Sequence, residues 1–284
     1  MAAGNASPRP NHLPFIRYSE DEARRHRANN RAQTRLANTH PSFRPPMQFS
    51  DKNILIIGAS SGIGLATATL LSGLGAHLFT ASRHRSPELA ALNTTHFDYD
   101  ATQEVGTVFE ALPDVLHGVV YCPGSIKLRP FERIPVADFA TDFDLNVLGA
   151  VRVLQATIKR LKKAGGTASI VLFSTVAADT GMSFHTSIAT AKAAVEGLTR
   201  ALAAEYAASG VRVNCIAPSL TNTPLAAALL NSPEKVEAGG KRHPLQRIGQ
   251  PEDLAYMTSF LLSDHSSFIT GQTMSVDGGM GKLK

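Results

Sequence analysis

From Asn53 onward, short apolar runs alternate with longer stretches in which apolar side chains recur at helical spacing. NILII, HLFTA, HGVVY, SIVLF and VRVNCIA read as strands, and THFDY as a weaker one. Helical stretches fall at about 62–73, 102–111, 137–163, 186–208 and 251–263. Alternation of this kind predicts βαβ units around a buried parallel sheet.

Before Met47 the pattern is different. Residues 1–46 are rich in Arg, Asn, His and Pro and poor in large apolar side chains. Ser19 and Glu22 match a capping box, which predicts a helix over 20–37, but its apolar stripe is only Ala28, Ala32 and Leu36. The sequence therefore divides into a basic, flexible extension over 1–46 and a folded domain over 47–284. Docking and organelle targeting are the sharper readings of the extension. The acidic cluster Glu20, Asp21 and Glu22 speaks against a transit peptide. Met47 is an alternative start.

Charge follows the same boundary. The extension holds eight arginines against three acids, a net of +5, which is the net charge of the whole chain. The domain is therefore electrically balanced and gives no support for a nucleic-acid partner. The two cysteines, Cys122 and Cys215, lie inside apolar runs and have no metal-ligand spacing. They read as reduced residues of a cytoplasmic protein, and no apolar stretch is long enough for a membrane span.

Immediately after the first strand comes Gly58-Ala59-Ser60-Ser61-Gly62-Ile63-Gly64, opening a helix. Glycines at such a turn let backbone approach a pyrophosphate at a helix N-terminus. The second strand ends Ser82-Arg83, where a carboxylate would favour a free ribose hydroxyl and a guanidinium favours a 2′-phosphate. Arg83 therefore points to NADP(H), its bland reading being a solvated strand end.

This loop, with Gly-x-x-x-Gly-x-Gly spacing, resembles that of the short-chain dehydrogenase/reductase family, and the resemblance runs from Met47 to Gly279. It implies a doubly wound α/β Rossmann fold with about seven parallel strands. Its phosphate contacts would come from Gly58, Ser60, Ser61, Gly62, Ile63 and Gly64. Asp98-Tyr99 matches the pair that brackets adenine, although Asp98 reads equally as a turn cap. Gly124 matches the glycine that lets backbone approach the cofactor. Asn146 in DLNVLGA and Lys192 in AKAAVEGLTRALAAE match the family's catalytic asparagine and lysine. Asn214, Pro218, Thr221 and Thr223 fall in the segment that closes over nicotinamide, with Asn214 read as structural. RIGQPEDLAYMTSFLLSDHSSFITGQTMSVDGG matches the family's ending.

The family's tyrosine would stand four residues before its lysine, and that position is Ile188; its serine position is Thr175. The strand-four signature is Tyr121-Cys122-Pro123-Gly124 instead of the usual NNAG. His185, seven residues before Lys192, has the offset at which enoyl reductases carry a tyrosine. It reads either as a substitute proton donor or as a helix-start residue bonding backbone. The expected catalytic set is thus Asn146, Thr175, His185 and Lys192, with no metal.

The expected function is NADP(H)-dependent hydride transfer to a carbonyl, conjugated C=C or imine of a small apolar substrate, since the lid over about 220–245 is apolar in its first half. Alternatives are a non-catalytic NADP(H)-binding sensor or scaffold, and a non-redox isomerase or cyclase. The resemblance also implies a homo-oligomer, tetramer or dimer.

Overall fold

The computed structural model of the chain describes residues 46–283. All but the first of these belong to the unit Met47–Lys284, while the helix expected over 20–37 lies outside the described residues. Seven strands form one sheet: β1 (Asn53–Ile57), β2 (His77–Ser82), β3 (Thr94–Asp98), β4 (Gly118–Tyr121), β5 (Ala168–Phe173), β6 (Val211–Pro218) and β7 (Thr273–Val276). Their order is β3-β2-β1-β4-β5-β6-β7, with every pairing parallel. The fold is α/β and doubly wound, and the strand order reverses between β1 and β4, where such sheets open a crevice at the strand carboxyl ends.

The helices are α1 (Gly62–Gly73), α2 (Pro87–Ala90), α3 (Val136–Phe143), α4 (Gly149–Lys162), α5 (Ala177–Thr180), α6 (Thr186–Tyr206), α7 (Pro233–Lys241) and α8 (Pro251–Leu262). They cover both faces of the sheet. In β1, Leu55 and Ile57 join a core that includes Val153 and Leu161 of α4 and Val195 of α6. Ile54 and Ile56 point the other way, into a core with Ala68 and Leu71 of α1 and Leu254 and Leu261 of α8. A strand whose period-two alternation serves two cores must be apolar throughout, as NILII nearly is.

Local chemistry sets the helix ends. After α1, the Ala76 amide donates to Leu71 O (3.0 Å) and the Gly75 amide to Ser72 O (3.1 Å), with Gly75 at φ +86°. That is a Schellman stop, in which glycine adopts the left-handed conformation without steric cost. At α8, Pro251 follows Gln250, whose amide donates to Asp253 Oδ2 at 2.8 Å in a capping box.

Three features depart from the sequence expectations. Residues 102–111 form successive turns, with amides bonding three residues back (Gln103 to Asp100, Val108 to Val105, Glu110 to Thr107) and Gly106 at φ +51°. A glycine in that conformation interrupts the helical ladder that the apolar spacing suggested. The stretch 137–163 is divided by a π-helical turn, Asp144–Leu148, between α3 and α4. Helix α7, within the lid, was absent from the pattern because its only large apolar residue is Val236. No helix among the described residues is long and apolar enough to cross a membrane.

Candidate active site

The carboxyl ends of β1, β2 and β3 lie side by side. Ile57 pairs with Ala81 and Ser82 with Asp98, and the Gly58 amide donates to Ala81 O at 2.7 Å. The glycine loop is tight here: a Cβ on Gly64 would stand 2.2 Å from Gly58 O, and Gly58 and Gly62 take positive φ. Ser61 is the N-cap of α1, but its side chain caps nothing, and the first turn holds no acid. Ser60 is half-buried in the turn. The loop thus presents an uncompensated helix N-terminus and free hydroxyl groups at the crevice, the environment an anion favours.

Beyond β2, the Ser82 hydroxyl donates to His84 O at 2.7 Å, and Arg83, His84 and Arg85 are all exposed. The Asp98 carboxylate is exposed at the neighbouring strand end. The Tyr99 ring is not: it packs on Phe109 with centroids 5.4 Å apart and donates its hydroxyl to Gln103 O. Burial pushes this phenol up to about 12. The strand end therefore offers a ligand the Asp98 carboxylate, but not the Tyr99 ring; the Tyr99 amide donates to Ser82 O at 3.0 Å.

The π-turn positions Asn146. Its amide donates to Asp142 O (2.8 Å) and Ser125 Oγ (3.3 Å), leaving Oδ1 buried without a partner. Such turns are frequent at functional sites because they displace one helical residue from the regular ladder. Tyr121 holds the turn: its hydroxyl donates to Leu145 O at 2.6 Å and occupies the space a Cβ on Gly149 would need. Burial raises its pKa further still. Asp142, 1% exposed, accepts from Ser125 Oγ and Ser187 Oγ, each at 2.6 Å, and so ties α3 to the start of α6.

Lys192 lies on α6, 8% exposed, with Nζ donating to Phe173 O at 2.8 Å. Burial lowers its pKa to about 8, opposed by the nearby Asp142 carboxylate among other groups. A Cβ on Gly124 would stand 3.4 Å from both Lys192 Nζ and Asn146 Oδ1. These two polar atoms therefore face one small space that only glycine keeps open. The Cys122 thiol beside it is pushed up to about 12 by burial, which makes it a poor nucleophile.

One cavity of about 380 Å³ brings together Ile63, Gly124, Thr175, His185, Lys192, Thr221 and Thr223. Ile188 forms part of its wall, and among the described residues no Asp or Glu lines it. His185 is the N-cap of α6, its Nδ1 2.7 Å from Ser183 O, so only Nε2 is available to a ligand. Thr175 Oγ1 accepts from the Ala177 amide at 3.3 Å. Thr223 reaches back to the glycine loop, where a Cβ on Gly62 would meet its side chain at 3.2 Å. Arg83, Asp98 and Tyr99 do not line this cavity, and Asn146 lies behind it. Asn214 is structural: its amide donates to Ile269 O, and its Oδ1 accepts from the Gln272 amide.

A family model described as enoyl-(acyl carrier protein) reductase matches residues 58–281. A tropinone reductase homologue from Arabidopsis thaliana is 34% identical over 245 residues, covering 80% of this chain and 91% of its own. The chain belongs to the short-chain dehydrogenase/reductase family. A short-chain dehydrogenase/reductase from Mycobacterium ulcerans superposes with a TM-score of 0.75 at 34% identity, covering 84% of this chain and 92% of that one. ElxO, solved with NADP bound, gives a TM-score of 0.74 at 26% identity, covering 81% and 98%. The relatives are dehydrogenases and reductases, so this member sits in an oxidoreductase family. Among the described residues, no group of His, Cys, Asp and Glu is placed to hold a metal ion.

Sequence reading missed three elements of the site: the Tyr121 tie to the π-turn, the Asp142 cluster, and a pair formed by half-buried Ser219 and buried His243. Each joins residues at least 17 positions apart, so no local spacing shows it.

Proposed function

We propose that the chain is an NADP(H)-dependent oxidoreductase that exchanges a hydride with a small apolar substrate carrying a carbonyl, a conjugated C=C or an imine. The observation that carries this reading is the continuity of the crevice. Thr223 spans from the glycine loop to a cavity that also holds Thr175, His185 and Lys192. NADP(H) supplies the hydride when bound. Gly58, Ser60, Ser61, Gly62, Ile63 and Gly64 would hold its pyrophosphate, and Arg83 its 2′-phosphate. Asp98 and the Tyr99 backbone would bracket adenine, with Gly124, Thr221, Thr223 and Lys192 around the nicotinamide ribose. ElxO with NADP bound supports this cofactor choice by likeness.

Within the cavity, Thr175 would polarise the reacting group and Asn146 would hold a water through its unpartnered Oδ1. His185 would exchange the proton that Ile188 cannot. Absence of a hydroxyl at Ile188 favours substrates in which hydride addition creates no localised alkoxide, and the description of the matching family model agrees with a conjugated C=C. The apolar wall formed by Ile126, Leu128, Leu225 and Leu229 suits an apolar substrate. Ile188 also favours a second reading, an NADP(H)-binding sensor or scaffold without turnover.

A panel of enones, imines and ketones with NADPH separates the two. The oxidoreductase reading expects loss of reduced-nicotinamide absorbance with at least one class and a fall of about 10²–10⁴-fold in His185→Gln. Saturable NADPH binding without turnover would leave the sensor reading. The domain is further proposed to form a homo-oligomer.

A further inference from the structure

Besides His185, the cavity wall includes Ser219, immediately after β6. Its hydroxyl lies 2.8 Å from Nε2 of His243, which is 2% exposed, and the His243 Nδ1 lies 2.8 Å from Gly239 O. A carbonyl oxygen can only accept, so Nδ1 carries the ring proton of the neutral imidazole. Nε2 is then the acceptor, and the Ser219 hydroxyl donates to it. The C-terminal loop passes on the other side of the imidazole, where a Cβ on Gly278 would stand 3.5 Å from the His243 Cδ2. A hydroxyl bonded to an imidazole that a third group orients is the arrangement that activates an oxygen for proton exchange or attack.

Position gives the pair access to the reacting group. The Val176 amide donates to Pro218 O at 3.1 Å, so Ser219 emerges beside the strand end that carries Thr175. Among the described residues, the titratable side chains that line the cavity are Cys122, His185, Lys192, Lys235 and Arg242, and His243 joins them through Ser219. His185 stands at the start of a helix with its ring partly exposed, whereas His243 is buried and has both nitrogens engaged.

We propose that Ser219 and His243 form a second proton-transfer pair in this cavity, needed for turnover as well as His185, with Ser219 touching the substrate and His243 acting through it. As a step in catalysis, this rests on the hydride-transfer reading above. In alcohol oxidation, the substrate O–H proton would go to Ser219 Oγ while the Ser219 proton passes to His243 Nε2, the hydride being the part that a bound NADP⁺ would take. The Gly239 carbonyl stabilises the imidazolium through Nδ1–H, and the proton returns to water through Ser219 once product leaves. Carbonyl reduction would run the same proton transfers backwards, with Ser219 giving the proton.

The pair can be tested without a redox substrate by treating the full chain with a small alkyl fluorophosphonate. The Ser219 oxygen would displace fluoride from phosphorus as its proton passes to His243. Mass spectrometry should locate the adduct on Ser219, with labelling lost in Ser219→Ala. His243→Gln, whose amide can hydrogen-bond but not take the proton, should slow labelling about a hundredfold or more. NADPH affinity, unchanged in both variants, reports that the domain is intact. A chain unlabelled at Ser219, or labelled equally fast in His243→Gln, overturns the pair. With any substrate the panel reveals, both variants should lose turnover about 10²–10⁴-fold, and full turnover in either overturns the proposal. Labelling that depends on His243 in a chain with no redox turnover would retain the pair and discard the hydride-transfer reading.

Discussion

At the ends of β1, β2 and β3 the chain has a glycine loop, a free helix N-terminus and an exposed Arg83; at the ends of β5 and β6 it has a cavity whose wall includes Ile188, on α6 four residues before Lys192. The first region relies on backbone geometry, which Gly64 secures because any Cβ would strike Gly58 O. The second relies on side chains, and there Ile188 is inert while Lys192, Thr175 and two histidines remain. The difference teaches that nucleotide binding and proton transfer are separable demands. Losing one side chain does not disturb a loop built from main chain, whereas a proton needs a group of suitable pKa at one place.

The comparison is put under most strain at Lys192, which would serve both regions. Lys192→Met should lower turnover by about 10²–10⁴-fold and also weaken NADPH binding, measured by steady-state kinetics and calorimetry. Turnover lost with cofactor affinity intact would confine this lysine to the catalytic side. The same substitution has a signature in stability. Burial holds Lys192 at about 8, while an unfolded lysine titrates near 10.4. Between those values the unfolded chain binds the extra proton at this lysine, so the Lys192 contribution to the stability of the cofactor-free domain should become more favourable as pH rises from about 8 towards 10. Denaturant unfolding across that range should show the stability difference between the parent chain and the variant shifting in the parent's favour as pH rises.

Arg83→Ala acts on the cofactor region alone. A charge-assisted phosphate contact contributes about 1.5–3 kcal/mol, so NADPH should bind roughly tenfold to a hundredfold more weakly, with NADH affinity unchanged. Equal losses for both cofactors would mean that Arg83 does not read the 2′-phosphate. Ile188→Tyr acts on the other side. The residue already lines the cavity on α6, so a phenol there should raise ketone reduction by about tenfold or more, without changing NADPH affinity. The smallest effect is expected from deleting residues 1–46. The truncated domain should keep its cooperative unfolding and its NADPH affinity, and loss of either would show that the extension supports the fold.

How much the sequence disclosed depended on the range of the interactions involved. NILII followed by the glycine loop was legible because strand, turn and helix start are contiguous, and α6 because its apolar spacing is unbroken. Residues 102–111 misled because their spacing suits a helix, and the positive φ that stops one is a property of a single glycine. The seventh strand, Thr273–Val276, was anticipated only through the family's ending. Its residues are partly exposed at the sheet edge and carry a weak apolar signal. His185 was found by its offset from Lys192 on one helix. His243 was not, because 24 residues separate it from Ser219 and its role depends on which nitrogen bonds Gly239.

The central claim is that this chain transfers hydride although the residue four before Lys192 is Ile188, which has no proton to exchange. It is tested most directly by a single turnover with NADPH deuterated at the transferable position, using the enone, imine and ketone panel and mass analysis of the products. The account predicts one deuterium in the reduced product of at least one class, at a rate that tracks loss of the reduced cofactor. NADPH that binds saturably yet remains unoxidised with every class, leaving no labelled product, would contradict it.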